Sequence, residues 1–143
     1  VFTDPTQKFE IGKGIKVIDG ADVTIVATGH LVWESLEAAK ILNKLGISAE
    51  VINIHTIKPL DKKIILKSVE KTRCVVSAEE HNFLGGLGES ISRVLSKNLP
   101  LPQEFIATKD TFGESGTPAQ LMEKYGLNAS SIVDKAKKVM SRK

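Results

Sequence analysis

The sequence predicts an α/β fold, in which a mostly parallel β-sheet is covered by helices on both sides. Short runs of apolar and β-branched residues alternate along the chain with longer segments whose apolar residues recur every three or four positions. This alternation is typical of parallel strands that are joined by crossover helices. With 143 residues, the chain has room for one well-cored domain.

Five segments have the composition of β-strands. They comprise residues 14 to 19, 22 to 29, 48 to 54, 73 to 78 and 104 to 109. The first is short and predicts an edge strand. The next three are apolar at nearly every position, which favours burial on both faces and therefore a parallel sheet.

The first two segments between these strands carry helical patterns. The stripe of the first helix consists of Leu31, Ser35, Ala38, Leu42 and Leu45. Gly46 follows as a natural C-terminal stop. The second helix begins at Asp61, a candidate N-cap, and Leu60 is placed to pack on Ile65 across the first turn.

The later segments predict three more helices. The stripe of the third helix consists of Leu84, Leu87, Gly88, Ile91 and Leu95. A fourth helix is expected from Thr117 as its cap, with Pro118 at the first helical position and Gln120 completing a capping box. Asn128 can cap a last helix. The stripe of that helix consists of Ile132, Ala136, Val139 and Met140.

The composition excludes several classes of protein. No apolar run approaches the length of a membrane span, and the first ten residues lack the pattern of a signal peptide. The single cysteine, Cys74, fits a reducing compartment, so a cytoplasmic protein is expected. The net charge is +3, and the basic C-terminal stretch "DKAKKVMSRK" favours a solvated helix face over nucleic-acid binding, because no aromatic residues are interleaved with its cations.

Three histidines give the strongest indication of a site. His30, His55 and His81 each follow one of the three long predicted strands. Ligands of open parallel sheets bind beyond the carboxyl ends of the strands, so these histidines mark a candidate site there. Metal centres usually show tighter spacing of their ligands, so no metal is expected. Contacts with neighbouring loops or with another domain are the favoured role.

The glycines of "HNFLGGLGES" raise the question of a phosphate-binding loop. Gly86 and Gly88 are followed by Ile91 where a dinucleotide fingerprint needs its third glycine, and no P-loop motif occurs. Free amides at a helix start still allow an anion to bind. The favoured alternative is that these glycines permit close packing of the helix. Ser115 lies in "GESGT", which lacks the second glycine of a nucleophile elbow, so a turn is favoured over a nucleophile.

Four segments, taken together, resemble the C-terminal domain of transketolases, especially the split and animal-like types. They are "ADVTIVATGHLVWESLEAAKIL", "VINIHTIKPLD", "VVSAEEHNFLGGLGES" and "GESGTPAQLMEKYGL". "FEIGKG" resembles the connector that leads into that domain. Residues 1 to 13 are therefore expected to connect from a preceding domain, and residues 14 to 143 to form the domain itself.

The resemblance implies a three-layer fold with a five-stranded sheet in the order 1-3-2-4-5, whose first, edge strand is antiparallel. His30 and His81 should then lie close together. It also implies that the whole enzyme transfers a two-carbon ketol unit from a ketose phosphate to an aldose phosphate in the pentose phosphate pathway. Thiamine diphosphate and a divalent metal are the implied cofactors.

The resemblance assigns the cofactor and the catalytic residues to other domains, so no catalytic, cofactor-binding or metal-binding residue is expected in this chain. The implied role is packing against the other domains or a partner subunit, within a homodimer of the whole enzyme. The candidate anion or interface site comprises His30, His55, His81, Gly86, Gly88 and Ser115. Two alternatives stay open: a domain of a 2-oxoacid dehydrogenase beta chain or of deoxyxylulose phosphate synthase, and a free-standing module that binds a small anion.

Overall fold

The computed structural model describes residues 13 to 55, 59 to 80, 86 to 107 and 128 to 143. Its strands are β1 (Ile15–Ile18), β2 (Val23–Ala27), β3 (Ala49–Asn53), β4 (Val75–Ala78) and β5 (Gln103–Ile106). Its helices are α1 (Leu31–Lys44), α2 (Lys62–Thr72), α3 (Leu87–Asn98) and α4 (Ala129–Met140). The helix predicted from Thr117 lies outside the described residues. Within the described ranges, the helices are too short or too polar to cross a bilayer.

The strands form one sheet in the order β1-β3-β2-β4-β5. β1 runs antiparallel to β3 at one edge, and the other pairs are parallel. The order that the resemblance implied is therefore confirmed, as is the prediction of a short edge strand at the start. β2 lies at the centre, which explains why all five of its residues are buried.

Helices cover both faces of the sheet. On one face, Ile25 of β2 belongs to an apolar cluster that includes Leu42 of α1 and Ile132 of α4. On the other face, the adjacent Val26 belongs to a cluster that includes residues of α2 and α3. Successive side chains of a strand point to opposite faces, so β2 supplies both halves of the core. The predicted three-layer α/β/α architecture is confirmed.

The predicted N-caps of two helices are confirmed. The Asp61 carboxylate accepts a hydrogen bond of 3.3 Å from the Ile64 amide at the start of α2. The Asn128 side chain accepts one of 2.8 Å from the Ser131 amide at the start of α4. Such caps satisfy amide groups that have no partner within the helix.

The end of α1 departs from the prediction at one residue. Leu45 was expected on the buried stripe, but it is 53% exposed, so that assignment is wrong. The helix ends at Lys44, and Leu45 is already its C-cap, so the helical period no longer sets the direction of its side chain. Gly46 follows with a φ of +79°, the left-handed conformation that favours glycine, and confirms the predicted stop.

Candidate functional site at the carboxyl edge of the sheet

The central strands end level with one another. Ala27, the last residue of β2, pairs with Asn53 of β3 on one side and with Ala78 of β4 on the other. Ala78 in turn pairs with Ile106 of β5. The segments that follow these strands therefore leave the sheet at the same edge, which we call the carboxyl edge.

Two of the three predicted histidines lie at this edge. His30 takes the N-cap position of α1 with helical backbone angles and an exposed side chain that makes no capping hydrogen bond. His55 is also exposed, and the amide of the preceding Ile54 donates to the Ala27 carbonyl. His81 and Ser115 lie outside the described residues, so the expected approach of His81 to His30 stays a prediction.

The most consequential residue at this edge is Glu79, directly after β4. Its carboxylate is buried and accepts hydrogen bonds from two backbone amides at the start of α3, those of Leu87 at 2.9 Å and Gly88 at 2.6 Å. A carboxylate at a helix N-terminus is favoured by the free amides and by the helix dipole. The two amides that an external anion would use are thus already bonded within the chain.

Gly88 allows α3 to approach the sheet closely. A Cβ atom at this position would lie 2.6 Å from a ring carbon of Phe105 and 2.9 Å from the Ser77 hydroxyl oxygen. Both residues belong to strands beneath the helix, so a side chain could fit only if these two side chains shifted or the helix moved outwards. The interpretation of close packing is confirmed for Gly88. Gly86 is the N-cap of α3, with an extended φ of −92° that other residues also adopt.

The clearly perturbed titratable groups lie at the opposite, amino edge. Hydrogen bonds, chiefly from Lys16, lower the pKa of Asp19 from 3.8 to about 2. The hydrogen bond to Glu50 raises the pKa of Lys71, and burial raises the pKa of the Cys74 thiol. These groups precede or end the elements at the amino edge, so they take no part in a site beyond the carboxyl ends.

The described residues do not offer a metal centre. Within them, no group of three or more His, Cys, Asp or Glu side chains is arranged to hold a metal ion. Of the candidate site residues that the structure describes, His30 and His55 are exposed, whereas the start of α3 is bonded to Glu79.

Comparison with known proteins identifies the family. The family model described as the C-terminal domain of transketolase matches residues 12 to 132. The chain belongs to this family. The transketolase resemblance noted in four sequence segments is thereby confirmed over most of the domain.

Related transketolase sequences cover almost all of the chain. The 6-deoxy-6-sulfo-D-fructose transketolase subunit SqwH of Clostridium sp. (strain MSTE9) is 45% identical over 137 residues, which is 96% of this chain and 42% of that protein. A transketolase C-terminal section of Methanocaldococcus jannaschii is 45% identical over 92% of the chain and 40% of its own length. The 1-deoxy-D-xylulose-5-phosphate synthase of Halothermothrix orenii is 35% identical over 93% of the chain and 21% of that enzyme.

A solved structure shows the same fold. A split-gene transketolase, in an inactive β4 tetramer, superposes with a TM-score of 0.94 and 42% identity. The alignment covers 99% of this transketolase-type domain and 46% of the solved chain. The domain thus spans less than half of the relatives and of the structure that it matches.

Proposed function

We propose that this chain is the non-catalytic C-terminal domain of a thiamine-diphosphate-dependent transketolase, which moves a two-carbon ketol unit between sugar phosphates. The main support for the proposal is the share of this chain, and of each relative, that the alignments cover. Transketolase subunits match 92% to 96% of the chain, while the chain accounts for only 40% to 42% of their length. The remaining part of such a protein, or a partner subunit, then carries the cofactor and the reaction.

The geometry of the carboxyl edge supports a non-catalytic role. The described residues do not fit thiamine diphosphate and its metal: the α3 amides that would face a diphosphate already bind Glu79, and within those residues no side chains group around a metal position. We therefore derive no reaction step from this domain. The electron-sink chemistry belongs to the cofactor in the rest of the enzyme.

The carboxyl edge serves, in this proposal, as the contact with the other domains or with a partner subunit. His30 and His55 are exposed there, and Gly86 and Gly88 shape the start of α3 at the same edge of the sheet. His81 and Ser115 complete the proposed contact from the sequence. The split-gene relative forms a tetramer, which supports association of such chains with other subunits.

Calorimetry with thiamine diphosphate and Mg²⁺ tests whether the cofactor binds outside this domain. We expect the enzyme that contains this domain to bind the cofactor and transfer ketol units, and the chain of residues 1 to 143 alone to do neither. An assay of the two parts mixed together is the control, because activity should return only on reassembly. Tight cofactor binding by residues 1 to 143 alone would falsify the proposal.

A second candidate is the corresponding domain of 1-deoxy-D-xylulose-5-phosphate synthase. It is favoured by the 35% identity to the Halothermothrix orenii enzyme over 93% of the chain. The two activities differ in the product: the synthase is named for 1-deoxy-D-xylulose 5-phosphate, whereas a transketolase transfers a two-carbon ketol unit between sugar phosphates. Assaying the whole enzyme for each product separates them.

A further inference from the structure

A basic cleft opens at the amino edge of the sheet, on the side away from the histidines. It has a volume of about 420 Å³ and lies between the end of α2, the segment before β5 and the residues after α4. Its lining is dominated by the cations Lys71, Arg73, Arg142 and Lys143. Leu101 and Pro102 form an apolar wall.

Carboxylates compensate two of the four cations that line the cleft. Lys71 bonds the buried Glu50 at 2.6 Å and lies 3.3 Å from Asp19. Arg142 donates a hydrogen bond of 2.6 Å to Glu104, a carboxylate that also has Lys135 and Lys138 within 3.8 Å. Among the described residues, Arg73 and Lys143 are the lining cations without an ion pair to a side-chain carboxylate.

Lys143 satisfies the helix end that faces the cleft. The C-terminus of a helix presents free carbonyl groups and a partial negative charge, which would repel an anion. The Lys143 ammonium donates to the Thr72 carbonyl at the end of α2, at 3.0 Å, and to the Asp22 carbonyl, at 2.8 Å. The ammonium therefore offsets the negative end of α2, and no side-chain carboxylate among the described residues forms an ion pair with it.

The guanidinium of Arg73 is the least compensated positive charge of the cleft. Arg73 is exposed, and within the described part of the chain its guanidinium has neither a hydrogen-bond partner nor an ion-pair partner. Its φ of +68° is left-handed, a conformation that costs a side-chain-bearing residue energy and that glycine adopts freely. The left-handed conformation is how α2 ends, and this position, where glycine is the usual residue, carries a cation at the cleft.

We propose that this cleft binds the phosphate group of a small phosphorylated metabolite, with Arg73 as the principal ligand. A guanidinium presents two parallel N–H donors that match two phosphate oxygens. Arg142 and Lys143 supply additional positive charge, and the volume leaves room for the esterified part of the molecule beside Pro102. This site is separate from the carboxyl edge, and it does not depend on the proposed transketolase reaction.

Titration calorimetry on the whole protein tests the proposal with glycerol 3-phosphate and inorganic phosphate as probes. We expect saturable binding that is tighter for the ester, and that weakens about tenfold or more in Arg73→Gln, because a bidentate, charge-assisted contact is lost. Arg93→Gln, at an exposed arginine of α3, is the matched control and should bind as the wild type does. Equal affinity of the two probes would assign the cleft to free phosphate and overturn the metabolite assignment.

Arg73→Gly separates ligand binding from stability. Glycine relieves the left-handed strain, so we expect the variant to melt at a higher temperature than the wild type while binding neither probe at this cleft. An arginine kept for stability alone would give the opposite shift in Tm. The proposal is overturned if neither probe shows saturable binding, or if Arg73→Gln binds both as tightly as the wild type.

Discussion

Glu79 shows how one buried carboxylate can fix the position of a helix. It follows β4 directly and binds the first two amides of α3, although the loop between them spans several residues. A buried carboxylate is costly unless hydrogen bonds compensate for its lost hydration, and here each of its oxygens accepts one. The contact joins the carboxyl edge of the sheet to the helix layer.

Glu79→Gln should destabilise the domain. The amide keeps one acceptor oxygen but turns an NH₂ group toward a backbone N–H, so one buried donor loses its partner. We expect the free energy of unfolding, measured by urea denaturation, to fall by about 2 kcal/mol.

The matched control is Glu37→Gln, at an exposed carboxylate that lies 3.4 Å from Lys40. Exposed pairs contribute little, so this variant should change the free energy of unfolding by less than about 0.5 kcal/mol. A similarly small effect of Glu79→Gln would mean that its two hydrogen bonds do not hold α3 in place.

The role of Glu79 was not visible in the sequence. Glu79 and Glu80 are adjacent on an extended segment, and their spacing does not indicate which groups they contact. The partners of Glu79 are backbone amides eight and nine residues further along. A capping box is recognisable because its residues are three apart, whereas this contact depends on how a loop returns to the sheet.

At the scale of elements, polar contacts tie the first part of the chain to α2. Asp61 caps that helix and also accepts a hydrogen bond of 2.9 Å from the Gly14 amide just before β1. At the other end of α2, Lys71 bonds Glu50 of β3 and lies 3.3 Å from Asp19. The edge strand is thus held at both of its ends through the helix beneath it.

The Asp19–Lys71–Glu50 cluster predicts the pH dependence of stability. The pKa of Asp19 is depressed to about 2 in the folded protein, so its contribution is present above its unfolded value of 3.8 and is lost as the pH falls toward 2. The pKa of Lys71 is raised above 10.5, so its contribution is present below pH 10.5 and is lost as the pH rises through the folded value.

The urea concentration at the midpoint of unfolding, measured across this pH range, should be constant at intermediate pH and should fall at the acidic and alkaline ends. Asp19→Asn should lower the plateau and flatten the acid limb relative to the wild type. It should also weaken the alkaline limb, because Asp19 helps to raise the pKa of Lys71. If the acid limbs of the two proteins are parallel, Asp19 does not stabilise the folded chain through its charge.

At the scale of the whole molecule, the sheet separates two edges with different properties. The carboxyl edge has the exposed His30 and His55 and the locked start of α3, whereas the amino edge has the basic cleft and the shifted titratable groups. Parallel strands place every carboxyl end on one side, so this separation follows directly from the topology.

Hydrogen exchange followed by mass spectrometry tests the proposed interdomain contact. Peptides that contain His30 or His55 should exchange more slowly in the assembled enzyme than in residues 1 to 143 alone, because the contact covers them. Peptides from the end of α4, at the amino edge, are the internal control and should exchange equally in both. Protection of the control peptides without protection at the histidines would assign the contact to the other edge.

The spacing of apolar residues predicted most strands and helices, because burial of one face of an element makes its apolar residues recur at a fixed interval. The stripe through Ile132, Ala136 and Val139 is buried in α4, and the predicted caps are in place. The assignment of Leu45 to the buried stripe was wrong, because the helical spacing of apolar residues does not show at which residue the helix ends. The strand order came from the resemblance to a family, since apolar runs do not reveal which strands are neighbours.

The sequence by itself determined the α/β class, the approximate positions of the strands and of the described helices, and membership of the transketolase family. These depend on local periodicity and on residues close together in the chain. Only the tertiary structure decided that Glu79 occupies the start of α3 and that Arg73, Arg142 and Lys143 meet in one cleft. Arg73 is distant in sequence from Arg142 and Lys143, and only the packing of helices on a twisted sheet brings these charges together.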